Sequence, residues 1–317
     1  MAPADSDRTA PRSRIGALSS KIPATEGHVA FRGFQTWYRI VGEGEEPGKL
    51  PLLCLHGGPG FSYDYIEALE DMAGTGRRVI FYDQLGAGNS DRPSDPDMWT
   101  IELFLDELRT IRDALELDHI HLFGSSWGGM LAMEHALTKP GGLASLVLAS
   151  SPSSIPVWAE EARRLRSELP EEVRQTLDEH EHAGTTDDPA YEQATMEFYK
   201  RHVCRTDPWP DGLNRSFAKF NPEVYNTMQG PNEFVITGTF KDWDITDRLG
   251  EIDVPTLVTS GRYDECTPRQ AETVHRGIHG SQWVHFEESS HTAFSEERER
   301  YMQVLGDFLG GVEVSRT

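Results

Sequence analysis

The segment DHIHLFGSSWGGMLAMEHALTK, residues 118–139, constrains this chain more than any other. It reads as a buried strand, a Gly-x-Ser-x-Gly turn and a helix, in that order. Ile120, Leu122 and Phe123 give the strand its apolar character, and the run after Gly129 meets no breaker until Pro140 and two glycines. A serine on so sharp a strand-to-helix turn needs neighbours with almost no side chain, and Gly124 and Gly128 supply that room. The turn alone is a common pattern; flanked by strand and helix it predicts Ser126 as a nucleophile.

Serine is a poor nucleophile unless a base stands within hydrogen-bond reach and a third group holds that base in one tautomer. Asp264 follows the nearly continuous apolar run VPTLVTSG, which suits a strand buried in a parallel sheet. His291 follows SQWVHFEESS, where Trp283, Val284 and Phe286 suggest a short strand, and precedes a helix expected near Ser295. Both therefore sit past the carboxyl ends of strands, where open α/β sheets bind their ligands. The order Ser126, Asp264, His291 is that of the α/β-hydrolase fold. A further loop, HGGPG at 56–60, follows the strand LPLLCL and precedes a helix expected over 63–72. Acyl transfer develops negative charge on the carbonyl oxygen, and the backbone N–H groups of Gly58 and Trp127 are the candidates to receive it.

Taken together, HGGPG, YDQLGAGNS, GSSWGGMLA, GPNEF, GRYDECTP and SSHTAF resemble the proline iminopeptidase family of α/β-hydrolases, in particular its tricorn-interacting aminopeptidase-like branch. The resemblance runs from about position 30 to about 310. It implies a serine exopeptidase that removes one amino acid from a peptide's amino terminus without metal or cofactor. It implies that Ser126, Asp264 and His291 form the triad, and that Glu233 and Glu265 grip the substrate's protonated α-amine, with Tyr225 beside them. An ammonium about 4 Å from a carboxylate gains on the order of 4 kcal/mol at an effective dielectric near 20, before desolvation. Two carboxylates so placed favour an aminoacyl substrate over a lipid ester. The chain departs from the family's usual Asp-Gln-Arg-Gly at Leu85 and from its Gly-Gly-Ser-Trp-Gly at Ser125, which loosens the link to proline itself. The family also contains enzymes that take an aminoacyl group from a small-molecule amine. A carboxylesterase shares the same acyl-enzyme chemistry, whereas dehalogenases and epoxide hydrolases carry aspartate in the elbow. A non-catalytic binder of this fold would show a broken triad or a filled oxyanion loop.

At 317 residues with 37% hydrophobic content, the chain has room for one large α/β domain with an insertion. Residues 1–25 read as a mobile polar tail, and EGHVAFRG with QTWYRIVG as an antiparallel edge hairpin. Residues 26–151 and 245–317 read as the core. Between them, 152–244 lose the strand pattern: VWAEEARRLRSEL, PEEVRQTLDEHEH and a segment from Asp188 to about His202 read as helices of an inserted cap. The last part of the cap reads as loop-rich and aromatic, with Trp209, Phe217, Phe220, Tyr225 and Phe234 packing mostly as cap core. A stripe of Ile101, Phe104, Leu108, Ile111 and Leu115 marks a helix, and a final helix is expected to stop at Gly310 and Gly311.

A net charge of −22 argues against nucleic acid or an anionic membrane surface as partner. No stretch is long and apolar enough to cross a membrane, and the first 20 residues lack the apolar centre of a secretory signal. Three cysteines without framework spacing fit a reducing, cytoplasmic setting, with Cys266 expected to meet thiol reagents. HEH at 180–182 and HIH at 119–121 lack metal-ligand spacing, so no metal is expected.

Overall fold

The computed structural model describes residues 22–316. Eight strands form one sheet in the order β1-β2-β4-β3-β5-β6-β7-β8, with β1 (Ala24–Phe31) and β2 (Phe34–Val41) as an antiparallel edge hairpin. β2 runs antiparallel to β4 (Val79–Tyr82); from β4 onward the pairing is parallel through β3 (Leu52–Leu55), β5 (Ile120–Ser125), β6 (Leu143–Ala149), β7 (Thr256–Gly261) and β8 (Gln282–Phe286). The mostly parallel sheet read from the sequence is therefore present. β1 opens at Ala24, Ile22 packs against the core and the Pro23 carbonyl accepts the amide of Gly42, so a tail through residue 25 is too long, and residues 1–21 lie outside the described residues.

The central strands are buried on both faces, which is why they read as unbroken apolar runs rather than alternating ones. Successive side chains still feed opposite layers. Leu53 and Leu55 pack with α1 (Ile101–Ala114) and α2 (Trp127–Leu137), while Leu52 and Cys54 pack with the opposite layer. α1 begins where Thr100 Oγ1 accepts from the amide of Leu103 at 3.2 Å, and it buries Phe104, Leu108 and Ile111 on one stripe. The segment Tyr63–Thr75 is 3-10 rather than α-helical, and it turns Ile66, Leu69 and Met72 into the opposite layer.

Between β6 and β7 lie α3 (Ile155–Ser167), α4 (Glu171–Ala183), α5 (Pro189–His202), α6 (Asp211–Ala218) and α7 (Pro222–Met228). The last two are short helices within the stretch read as loop-rich. Each is one or two turns long, too short for a repeating stripe, and α7 is fixed by its cap, Asn221 Oδ1 accepting from the amide of Glu223 at 3.1 Å. After β7 come α8 (Pro268–Gly277), then β8, α9 (Ala293–Glu296) and α10 (Arg298–Arg316). α10 does not stop at Gly310 and Gly311. Val312 and Glu313 beyond them are buried, and that packing outweighs the cost of about 1 kcal/mol per helical glycine. No helix of the described residues is long and apolar enough to cross a membrane.

Candidate active site

Ser126 stands between β5 and α2 with φ 55° and ψ −121°, a conformation that costs a non-glycine residue about 1–3 kcal/mol. The surroundings permit nothing bulkier beside it. A Cβ at Gly124 would lie 2.3 Å from the carbonyl oxygen of Gly128, and one at Gly128 would lie 2.4 Å from that of Leu55. The elbow is thus pressed onto the end of β3, and the HGGPG loop follows directly from there. A Cβ at Gly57 would lie 2.8 Å from that of Ser126.

Asp264 and His291 come together as their order along the chain implies. Asp264 Oδ1 lies 2.7 Å from His291 Nδ1 and accepts the amide N–H of Cys266 at 2.8 Å. With Nδ1–H donating to a carboxylate, the neutral ring carries its free lone pair on Nε2. Burial opposes protonation of His291, but the adjoining Asp264 more than offsets it, with help from Glu233 and Glu296, and the ring is raised above the usual histidine value. Ser126 and His291 line the same cavity.

That cavity holds ≈ 490 Å³ of atom-free space up to its open mouth and is lined by Gly58, Phe61, Tyr199, Phe217, Glu233 and Glu265 among others. A second compartment of ≈ 280 Å³ adjoins it and shares Gly58, Ser126 and Glu233. Glu233 is fully engaged: Oε1 accepts from the Tyr225 hydroxyl and Oε2 from Gln229 Nε2 at 2.9 Å. Glu265 is not. Its Oε1 lies 3.7 Å from His291 Nδ1, while its buried Oε2 meets no hydrogen-bond partner in the described structure. Burial raises both carboxyls, and Glu265 is pushed up further by Glu233 and Asp264. An uncompensated buried carboxylate facing a cavity is a receptor for a cation.

Gly58 lines both cavities with Ser126, and Trp127, the next residue in the chain after Ser126, lines the second. Tyr65 Oη accepts the amide N–H of Gly57 at 2.5 Å, leaving the next amide, that of Gly58, at the cavity wall. Trp127 is the first residue of α2, so its N–H lies ahead of the helix's own hydrogen-bond ladder. Three residues not singled out from the sequence hold this arrangement. The amide of Gln84 donates to His56 Nε2 at 2.9 Å, its side-chain amide donates to the His56 carbonyl at 2.9 Å, and its Oε1 accepts from Trp127 Nε1 at 2.8 Å. Gln84 thereby ties the HGGPG loop to the elbow. His56 is pushed down to about 4 by burial, so it stays neutral and accepts. Beneath them the amide of Leu85 donates to buried Glu107, whose carboxyl burial pushes up to about 8.

The His291 loop is held from the helices inserted after β6. The carbonyl of His202, the last residue of α5, accepts both the amide of Glu265 and that of His291 at 3.2 Å. Glu296 accepts the amides of Arg205 and Ser290, each at 2.8 Å, and so anchors the residue before His291. No periodicity or motif marks Gln84 or Glu296 for these contacts; only the neighbouring DQLG and SSHTAF strings hint at them.

Of the remaining sequence expectations, Phe217 and Tyr225 line the cavities, whereas Phe234 packs against Phe198 and Trp209 stacks on Phe217. Cys266 is wholly buried, against the expectation that it meets thiol reagents: the turn that aims Asp264 at His291 points the thiol into the core. His121 bonds to Ser145 and Glu313, and His180 to Thr185.

Residues 51–298 match the model of the α/β hydrolase fold. A proline iminopeptidase of Thermoplasma volcanium is 38% identical over 286 residues, covering 90% of this chain and 96% of that protein. Among solved structures, the crystal structure of VinJ superposes with a TM-score of 0.87 at 42% identity, covering 91% of this chain and 99% of that one. Proline iminopeptidase of Mycobacterium smegmatis gives 0.86 at 41%, covering 92% and 100%. The chain belongs to the α/β-hydrolase fold family and, within it, to the proline iminopeptidases.

Proposed function

We propose that this protein is a serine aminopeptidase that releases an amino acid with a free α-amine from a peptide or an aminoacyl amide. The observation that carries this reading is the unpartnered Glu265 Oε2, buried in the same cavity as Ser126 and His291. The substrate's ammonium enters between Glu265 and Glu233 and sets its own carbonyl carbon against Ser126 Oγ. His291 Nε2 takes the hydroxyl proton, and Asp264 stabilises the resulting imidazolium. The amides of Gly58 and Trp127 receive the oxyanion, a contribution of about 3–4 kcal/mol per donor. His291 then delivers its proton to the leaving nitrogen, and water releases the acyl group by the same steps in reverse roles. No step asks for a metal or a cofactor.

The alternative leaving group, a small-molecule amine instead of a peptide, fits the same chemistry, because no assigned residue contacts the leaving group beyond its nitrogen. Three free, buried cysteines support a cytoplasmic setting. The deciding assay compares alanyl and prolyl p-nitroanilides with their N-acetyl counterparts and with a simple nitrophenyl ester. Free-amine anilides are expected to be cleaved and blocked ones to be refused, with all activity lost in Ser126→Ala. Equal rates on free and blocked anilides would remove the amine site.

A further inference from the structure

Ser126 divides two compartments that differ in what they offer a substrate. The second is walled by Pro59, Met130, Pro152, Ile155 and the rings of Trp127 and Trp158. Apart from Ser126 and the amides of Gly58 and Trp127, its side-chain donors are already engaged. Trp127 Nε1 donates to Gln84, Trp158 Nε1 donates to the Glu233 carbonyl at 2.9 Å, and both Gln229 and Tyr225 donate to the Glu233 carboxylate. In the first compartment the titratable groups are Glu233, Glu265, His291, Tyr65 and Tyr199; the Tyr65 hydroxyl accepts the Gly57 amide, and the Thr292 hydroxyl donates to the Val203 carbonyl at 3.1 Å. Among the described residues, no lysine or arginine lines either space.

A free dipeptide carries its carboxylate on the carbon bonded to the scissile nitrogen. Once the α-amine is seated, that anion is held within a few bonds of Ser126, beside two glutamates or against carbon. In either place no lysine or arginine pairs it, and beside the glutamates it is repelled; selectivity follows from that penalty.

We propose that the site selects leaving groups that bear no carboxylate next to the scissile nitrogen. An apolar amine, an amide-capped residue, or the second residue of a longer peptide meets this condition, with its apolar part in the Met130–Ile155–Trp158 compartment. This rests on the amine-binding reading above.

The test compares wild-type kcat/KM on alanyl-leucine and alanyl-leucine amide at fixed salt. They share the free amine and the scissile bond. The amide is expected to be favoured by ~10-fold or more. Equal values, or preference for the free acid, overturn the proposal. Ile155→Lys, which places a cation in the second compartment, is expected to narrow the ratio, with Ile155→Met as the neutral control that keeps it. N-acetyl-alanyl-leucine amide separates the two readings: if it is cleaved as fast as the unblocked amide, the amine site itself fails, whereas refusal of it alongside equal dipeptide values sinks only the leaving-group preference.

Discussion

His291 faces carboxylates from three directions: Asp264 and Glu265 on the loop after β7, Glu233 after α7, and Glu296 on α9. His202 lies nearby on α5, its ring N–H donating to the Tyr263 carbonyl at 2.8 Å. A raised imidazole must lose its proton before it can act as base, so kcat/KM should climb with pH through a limb lying above about 6.5, the ordinary histidine value. Replacing Glu233 by Gln removes one of the charges that hold the proton on. On a neutral ester, which does not use the amine site, the acid limb of Glu233→Gln is expected at lower pH than in wild type. A pH–rate series settles this, and an unmoved or more alkaline limb contradicts it. The serine and the histidine were legible as candidates because each sits in a short string with its own local chemistry, whereas both glutamates were marked only by the family resemblance. Gln84 and Glu296 were not legible, since their partners Trp127 and Arg205 lie 43 and 91 positions away and no local pattern records such contacts.

Among the elements, the loop between β4 and α1 has the largest indirect influence on the chemistry. Gln84 ties the HGGPG loop to Trp127, and in the proposed mechanism it thereby sets the spacing of the two amides assigned to the oxyanion. Gln84→Ala is expected to lower kcat by about 10-fold or more while leaving KM nearly unchanged, as a fraction of what one oxyanion donor contributes. An aminoalkyl boronic acid, which mimics the tetrahedral adduct, should lose affinity in parallel, whereas a product amino acid should bind as before. A variant that weakens both ligands equally would point to a general loss of packing. The sheet strands were readable because double burial makes them unbroken apolar runs. α6 and α7 were not, because one or two turns give periodicity nothing to repeat.

Across the whole molecule, the formal charge of −22 creates an attractive field for a protonated amine. Encounter with a cationic substrate is screened over about 10 Å at 0.1 M salt. Between low and high sodium chloride, kcat/KM for a free-amine anilide is expected to fall while kcat holds, and a neutral ester should show a flat response. A flat response for the amine would exclude steering. The fold class followed from the order of strand-end motifs, which reports topology directly, whereas the reach of the final helix did not.

That helix has a consequence at the far end of the sheet. Beyond Gly310 and Gly311, Glu313 reaches Arg77 at 2.9 Å, accepts the amide of Leu50 at 2.9 Å and lies 3.4 Å from His121. Arg77 is 1% exposed and sits just before β4, Leu50 just before β3, and His121 near the start of β5. The last turns therefore work as a keystone over the roots of three strands. Trimming the polypeptide back to the glycine pair would strand a guanidinium in the interior without its counter-ion, an injury of about 3–5 kcal/mol delivered on the side of the sheet opposite Ser126.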